Sequence, residues 1–412
     1  MYTLKDADYE GYLVGGCVRD LLLGHHPKDF DVATNATPEQ VKALFRNSRI
    51  IGRRFQIVHV RFGREIIEVT TFRGPHDGES TQHVSDEGML LRDNVYGTLE
   101  QDAWRRDFTI NALYYTVKDF SIVDYTHGMA DLQSKTIRMI GDPEVRFKED
   151  PVRMLRAIRF AGKLNFKIQH DDEVSIKKAL DENIHLLEAV SSARLFDEVL
   201  KLFMSGYAKA VYELLIKEDV YQRLFPFAQD VDSDFYIEFV KQGLVNTDIR
   251  IQQQKPVTPA FLFAVLLWPA VEMLTKQLQS QDIPLIQAVN IAGQEMIEKA
   301  NACITIPKRF RYMMRDIWTL QVRLPNRAGR RAYKLLEQKR FRAGYDFLLL
   351  RSQVSQVASN GSDVTHSTAA ELAELANWWT QFQTESEAGR KTMLNALPHP
   401  RPKSRKKKTK HA

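Results

Sequence analysis

GGCVRDLLLGHHPKDFDVATN, residues 15–35, runs from a glycine pair through a short apolar helix to two acids one residue apart. Gly15 and Gly16 end the apolar run GYLV, and glycines at such a turn let backbone N–H groups come close to an anion. VRDLLLG reads as a short helix closed by Gly24, with Leu21, Leu22 and Leu23 assigned to the core. DFDVAT alternates acid and apolar side chains, the period of a half-buried strand. Asp29 and Asp31 then point to one face, and Phe30 and Val32 into the core. Two ionised carboxylates so close raise each other's pKa unless a cation sits between them. Magnesium, a hard ion that prefers oxygen ligands, resolves that repulsion. Turn caps and exposed strand acids also produce an isolated Asp-x-Asp, so the neighbours must decide.

Outward from that stretch, TPEQVKALFRN has Thr37 as an N-cap and Pro38 at the first helical position. FQIVHVRF and REIIEVTTF flank Gly63 and read as a hairpin that carries Glu68, a candidate third carboxylate. Arg19, one turn into the first helix, is placed to reach a phosphate. A glycine-rich strand-to-helix turn beside a carboxylate strand is equipment for attack on a nucleoside triphosphate, with two metal ions. Residues 73–97 read as a polar loop, and TLEQDAWRRDFTINALYY from 98 as one amphipathic helix. FSIVDYTHGMADL closes a small mixed domain near residue 132, and helical patterns dominate from there on. The class is α+β, a small mixed-sheet head followed by an all-α neck and body. The divisions are 1–133 (head), 134–205 (neck), 206–392 (body) and 393–412 (basic tail). Trp378 and Trp379 read as packing residues of the last long helix, and residues 359–368 as a linker or loop. His170-Asp171 opens HDDEVSIKKAL, read as a helix carrying acids in its first turn rather than as a metal site.

The 412 residues are enough for two to four domains, and 44% hydrophobic with 27% charged residues is ordinary globular composition. AFLFAVLLWPAVEML, 260–274, is too short for a span of about 20 apolar residues and is broken by Pro269, so it reads as a buried helix pair. No membrane span and no signal peptide are expected. Two distant cysteines, Cys17 and Cys303, argue against a disulfide framework and for a reducing cytoplasm. The net charge of +6 is concentrated at the end of the chain: without its last twelve residues, 51 basic residues face 52 acidic ones. That tail carries Arg401, Lys403, Arg405, Lys406, Lys407, Lys408 and Lys410 among prolines, the pattern of a solvated arm for polyanions such as RNA.

GGCVRDLLLG followed by DFDVAT resembles the head of the class II nucleotidyltransferases, relatives of the DNA polymerase β superfamily. This group comprises the bacterial tRNA CCA-adding enzymes and poly(A) polymerases. The resemblance continues through RRDFTINALYY (105–115) and EDPVRMLRAIRF (149–160), and more weakly through SARLFDEVLKL. It implies a polymerase-β-like head and Asp29 and Asp31 as magnesium-binding carboxylates, with Glu68 as the third catalytic acid. Gly15, Gly16 and Arg19 would hold the triphosphate, and Arg105, Arg106, Asp107 and Asn111 the nucleotide sugar and phosphates. Asp150 and Arg153 match the pair that reads the base edge, and Arg156 and Arg159 continue that basic helix. Asp150 before Pro151 is equally suited to starting a helix, and Asp107 to pairing with a neighbouring arginine.

The segment LLRDNVYGTLEQDAWRRDFT, from residue 90, resembles the poly(A) polymerase pattern, as do IPKRF, RDIWTLQ and FRAGYDFLLLR. Gln101 departs from it, standing where an acid is common. The implied activity is template-independent transfer of AMP from ATP to RNA 3′ ends with release of pyrophosphate. The implied partners are ATP, RNA 3′ ends and RNA-decay machinery, and the chain is expected to be a monomer. A tRNA CCA- or A-adding transferase is the alternative. A non-catalytic RNA-binding scaffold is a third reading, against which the retained Asp29, Asp31 and Arg19 argue.

Overall fold

The run ended by the glycine pair forms β1 (Gly11–Val14), and the acidic stretch forms β2 (Asp31–Thr34). β3 (Ser48–Ile51), β4 (Ile57–Phe62), β5 (Glu65–Thr71), β6 (Leu113–Thr116) and β7 (Ile122–Asp124) complete a seven-stranded mixed sheet in the order β3-β4-β5-β2-β1-β6-β7. β2 and β5 are parallel, and the other neighbours are antiparallel. The structure, a computed structural model, describes residues 1–52, 56–74, 95–169, 175–226, 234–358 and 366–398. By contacts the chain divides into two units, Met1–Leu224 and Phe225–Ala412.

In the first unit the head helices are α1 (Tyr2–Asp6), α2 (Gly16–Leu22), α3 (Pro38–Leu44), α4 (Leu99–Arg105) and α5 (Gly128–Gln133). Val32, Val58, Val60 and Val69 pack on one sheet face with Leu4, Ala36 and Val41. On the other face Val14, Ala33, Phe72 and Tyr114 pack with Leu99 and Ala103 of α4. Thr37 forms a capping box with Gln40 and starts α3 at Pro38. Thr98 does the same with Gln101 at α4, so the residue that departs from the family pattern has a structural use here.

Four expectations are corrected. β2 begins at Asp31, which leaves Asp29 and Phe30 in the segment leading to it, and Phe30 is 36% exposed rather than core. α2 turns the opposite way from a simple amphipathic helix: Leu21 and Leu22 are 49% and 38% exposed, while Arg19 and Asp20 are buried. The helix expected from 98 stops at Arg105, because Arg106 takes an extended backbone, and Leu113–Thr116 forms β6 instead. Tyr114 is fully buried opposite Val14, and aromatic and β-branched residues suit such a pleated surface. Edge strand β3 had no signal, since SRII is four residues long and does not alternate cleanly.

Beyond the head, α6 (Pro143–Glu149) and α7 (Val152–Leu164) lead into α8 (Ile176–Asn183), α9 (Ser192–Phe203), α10 (Ala208–Lys217) and α11 (Tyr221–Leu224). A two-residue parallel ladder, β8 (Thr136–Ile137) with β9 (Lys167–Ile168), accompanies them. α7 buries Met154, Leu155, Ala157, Ile158 and Ala161. Gly162 lets α10 approach, since a Cβ there would stand 2.7 Å from Val211 Cγ2. Asn165, in the left-handed region, ends α7. α8 starts at Ile176 with Ser175 as its cap, so the acids read into its first turn precede it; residues 170–174, including His170-Asp171, lie outside the described residues.

The second unit is helical: α12 (Asp234–Gln252), α13 (Pro259–Gln279), α14 (Leu285–Cys303), α15 (Lys308–Arg323), α16 (Arg330–Leu336), α17 (Phe341–Ala358), α18 (His366–Thr384) and α19 (Glu387–Asn395). α13 is one helix with Pro269 inside it, not a pair. It is long and apolar enough to cross a membrane, but most of its side chains lie in the core of this unit. Trp318 Nε1 donates to the Ala264 carbonyl at 3.1 Å, and Trp379 Nε1 to that of Leu324 at 3.1 Å. Trp378 stacks on Phe382 at 4.6 Å, so both adjacent tryptophans pack this unit. The linker read at 359–368 falls largely outside the described residues.

Candidate active site

Register assembles the carboxylates. Asp31 is paired with Glu68 across β2 and β5, so both side chains leave the sheet on one face. Burial pushes the Asp31 carboxyl above its usual range, and Glu68 and Asp29 push it further, against the pull of Arg106. Asp29, Asp31 and Glu68 thus put like charges near one another at the middle of the sheet, and carboxylates are the donor type a hard divalent cation takes. Among the described residues no three His, Cys, Asp or Glu side chains are gathered tightly enough to hold a metal on their own. Magnesium commonly takes one or two carboxylates and completes its shell with water and substrate phosphates. His59 Nε2 lies 3.2 Å from Glu68 Oε1 and steadies that acid.

On the β1 side of Asp31, Gly15 adopts φ +77°, ψ −132°, a conformation nearly confined to glycine. A Cβ on Gly15 would stand 3.6 Å from Arg106 Nη1, and one on Gly16 would stand 3.6 Å from Arg19 Nη2. Both glycines therefore face guanidinium groups. Arg19, only 2% exposed, donates to Asp20 Oδ1 from Nε (2.8 Å) and Nη2 (2.6 Å) and to Asn111 Oδ1 from Nη1 (2.6 Å). Arg106 Nε and Nη2 donate to Asp102 Oδ2 at 3.2 and 2.9 Å, and Nε also to Tyr114 Oη at 2.8 Å. Burial works against the Arg106 charge, but Tyr114 and Asp102 outweigh it and keep the guanidinium firmly protonated.

Asp107 connects the head to α7. Its Oδ2 accepts from Arg156 Nε at 2.6 Å and Nη2 at 2.5 Å, and its Oδ1 from Asn111 Nδ2 at 3.1 Å and the Phe108 amide at 2.9 Å. Burial alone would raise its pKa, yet Arg156 overrides that and brings it down to about 2. Along α7, Arg153, Arg156, Phe160 and Lys163 recur at helical spacing. Phe160 carries three guanidinium groups over its ring, those of Arg19 (5.1 Å), Arg156 (5.3 Å) and Arg159 (5.1 Å). Burial and then neighbouring Arg156 bring the Arg159 pKa down to about 10.

The Arg153 amide donates to the Asp150 carbonyl at 3.0 Å, but their side chains take other partners. Asp150 Oδ2 accepts from Arg194 Nη2 at 2.7 Å, and its Oδ1 from the Val152 amide at 3.3 Å at the start of α7. Arg153 Nη1 donates to Glu149 Oε2 at 2.7 Å and to the Arg146 carbonyl at 2.8 Å. Arg146, which the sequence does not single out, donates to the carbonyls of Arg105 (2.6 Å) and Arg106 (2.7 Å) and so fixes the backbone that presents both arginines. Burial, then Arg153, lowers its pKa to about 10. Asp20, Lys163, Glu149, Asp102 and Tyr114 were also missed. Glu149 was legible from its i−3 and i+4 spacing to Arg146 and Arg153, but Lys163 meets Asp20 Oδ2 at 3.0 Å across 143 residues. Arg19 and Lys163 share Asp20, and Arg146 and Arg153 share Glu149, so each of these two carboxylates faces two cations. The seven basic tail residues, Arg401 to Lys410, lie outside the described residues.

Residues 11–138 match the family described as the poly(A) polymerase head domain. Residues 171–231 match the "probable RNA and SrmB-binding site of polymerase A", and 281–412 its arginine-rich C-terminus. The chain is 47% identical to poly(A) polymerase I of Escherichia coli O6:H1, covering 98% of this chain and 86% of that protein. Against poly(A) polymerase I of Haemophilus influenzae it is 42% identical over 98% and 88%. The CCA-adding enzyme of Lactobacillus helveticus is 38% identical, but over 55% of this chain and 54% of that enzyme. Among solved structures, the Bacillus stearothermophilus CCA-adding enzyme in complex with CTP superposes with a TM-score of 0.59 at 26% identity, covering 91% and 80% of the two chains. Likeness to that CCA-adding enzyme sequence covers 55% of this chain, whereas likeness to the polymerases covers 98% of it; the chain belongs to the bacterial poly(A) polymerase I family of nucleotidyltransferases.

Proposed function

We propose that this polynucleotide adenylyltransferase transfers AMP from ATP to RNA 3′ ends through the Asp29, Asp31 and Glu68 carboxylates, with ATP seated along Gly15, Gly16, Arg19 and Arg106. The observation that carries the reading is the Asp31–Glu68 register beside a glycine turn faced by guanidinium groups. The RNA 3′-hydroxyl gives up its proton to water as its oxygen bonds to the α-phosphorus of ATP, the bond from that phosphorus to the bridging oxygen breaks, and pyrophosphate leaves. Asp29, Asp31 and Glu68 would hold two magnesium ions, which supply Lewis-acid charge neutralisation at the phosphoryl oxygens when bound. Glu68, steadied by His59, lies nearest the incoming hydroxyl and orients it. Arg19, Arg106 and the α2 turn bind the departing phosphates, and Asn111, held between Arg19 and Asp107, positions the sugar. Arg105 joins this set through the backbone that Arg146 fixes. Asp150 and Arg153 each exchange a present partner for the adenine edge, and Arg156 and Arg159 keep the α7 face charged and ordered.

Residues 1–133 act as the catalytic head, 134–205 as the base-recognising neck, 206–392 as the RNA-binding body and 393–412 as a basic arm, in a cytoplasmic monomer that meets RNA-decay machinery. An extension assay with magnesium and each nucleotide separately tests the activity. A long ladder from ATP alone on a generic RNA oligomer is the expected result. A product that stops after C, C and A on a tRNA lacking its end would transfer the chain to the alternative specificity. The tail is tested by truncation after Leu397. RNA binding is expected to weaken, and the slope of log affinity against log salt to flatten by up to about 5, since each of seven cations contributes roughly 0.7 on a single strand. An unchanged slope would reduce the tail to a solubility device.

A further inference from the structure

The sheet face that carries the carboxylates does not end at Glu68. Glu68 is registered with His59 on β4, and His59 with Arg49 on β3. Asp31, Glu68, His59 and Arg49 therefore form one cross-strand row, from the centre of the sheet to its edge, with side chains on a single face. Arg61, two residues beyond His59 on the same face, stands opposite Ile66, and its amide donates to the Asn47 carbonyl at 2.9 Å. Arg46, Arg49, His59, Arg61 and Ile66 line a cleft of about 470 Å³. The Arg46, Arg49 and Arg61 side chains are exposed, and none makes an ion pair or hydrogen bond among the described residues. That sets them apart from the arginines around Asp107 and Asp20, each of which is committed to a carboxylate.

The chemistry says what belongs on this ledge. Phosphoryl transfer is an in-line displacement, so the attacking and leaving oxygens lie on opposite sides of the phosphorus. The leaving pyrophosphate is on the β1 side of Asp31, by Gly15, Gly16 and Arg106. The nucleophile must then arrive from the other side, over β5 and towards β4 and β3. At about 4.8 Å per strand, Arg49 is roughly 14 Å from Asp31, beyond the reacting nucleoside and within the path of the chain behind it. We propose that Arg46, Arg49 and Arg61 seat the phosphodiester backbone of the acceptor RNA immediately upstream of its 3′-terminal nucleoside. This rests on the adenylyl-transfer reading above. Ile66, exposed on the floor of the cleft, offers an apolar surface to a ribose or base while the guanidinium groups take the phosphates.

The test compares the full chain with Arg49→Ala/Arg61→Ala and Arg49→Lys/Arg61→Lys, using an RNA oligomer and saturating ATP. The alanine pair is expected to raise KM for RNA about tenfold or more and to flatten the salt slope of RNA binding by about 1.4, two single-strand phosphate contacts. KM for ATP should stay within about twofold, and the lysine pair should recover most of the loss. Acceptors with one neutral methylphosphonate at each of the last three linkages provide a second readout. The unmodified protein should lose affinity at one or two of those linkages, and the alanine pair should be indifferent to them. An alanine pair with unchanged RNA KM and the same linkage sensitivity overturns the proposal, as does a rise confined to KM for ATP. If the unmodified protein extends no RNA at all, the adenylyl-transfer reading has failed instead, and equal thermal melting curves exclude misfolding as the cause of either result.

Discussion

Asp31→Asn is expected to reduce adenylate transfer by ~1,000-fold or more while leaving the fold intact. Neutralising the charge that forms on a transferring phosphoryl group is worth several kcal/mol, and three powers of ten correspond to about 4 kcal/mol. Asp31 is the member of the acidic set on which burial, Glu68 and Asp29 all act, so its ionised form is the one the folded chain holds at a cost. Asparagine keeps the shape of the side chain and removes that cost. The variant should therefore melt at the same temperature as the unmodified chain, or higher, without divalent ions. Added magnesium should raise the melting temperature of the unmodified chain and leave that of the variant nearly unchanged. Transfer lost together with a collapsed circular dichroism spectrum would sink this account, because the defect would then be structural. Retained transfer would sink it more directly, by removing Asp31 from the chemistry.

Asp107→Ala is expected to be the most destabilising single change around the site. It leaves the partly exposed Arg156 beside Phe160 without its carboxylate and removes the acceptor of Asn111. Breaking a fully buried pair from one side costs about 3–5 kcal/mol; with the Arg156 side chain 32% exposed the cost should be about 2–3 kcal/mol, roughly 5–10 °C in melting temperature for a unit of this size. Because Asn111 also receives Arg19, the loosened contact reaches the triphosphate side, and kcat/KM for ATP should fall ~100-fold. The pH dependence has a definite sign. The Asp107 pKa is depressed from 3.8 to about 2, so its ionised form contributes stability that is present above about pH 4 and is lost as pH falls through about 2. That contribution is about 2 kcal/mol, and the alanine variant should lack this segment of the acid-unfolding profile. A variant with the same acid profile and unchanged ATP kinetics would show that Arg156 finds another partner.

Much of the catalytic head was legible in the chain because its signals are local. The Thr37-Pro38 cap, the Gly63 hairpin and the Asp-x-Asp beside a glycine turn each lie within a few residues and impose their geometry through backbone stereochemistry. The misread parts are those where neighbours in space overruled neighbours in sequence. DFTINALYY carries a pattern compatible with a helix, but β1 offers its free edge to Tyr114 and a strand forms there. Leu21 and Leu22 look like core, yet α2 buries Arg19 and Asp20 instead, since Asn111 and Lys163 satisfy those charges from 92 and 143 residues away.

The sequence by itself therefore determined the α+β class and the family, because the residues that carry them are close together and in a fixed order. Only the tertiary structure decided which charges meet. Asp107 with Arg156 and Asp150 with Arg194 are outcomes of packing α7 against the head and against α9, whereas Arg153 with Glu149 follows from their i, i+4 spacing. A partly buried charge takes whichever opposite charge the packing brings within about 3 Å, and at the separations of Asp107–Arg156 and Asp150–Arg194 no local rule of spacing specifies that partner. The cross-strand row from Asp31 to Arg49 is of the same kind, since its members come from four strands whose order in the sheet differs from their order in the chain.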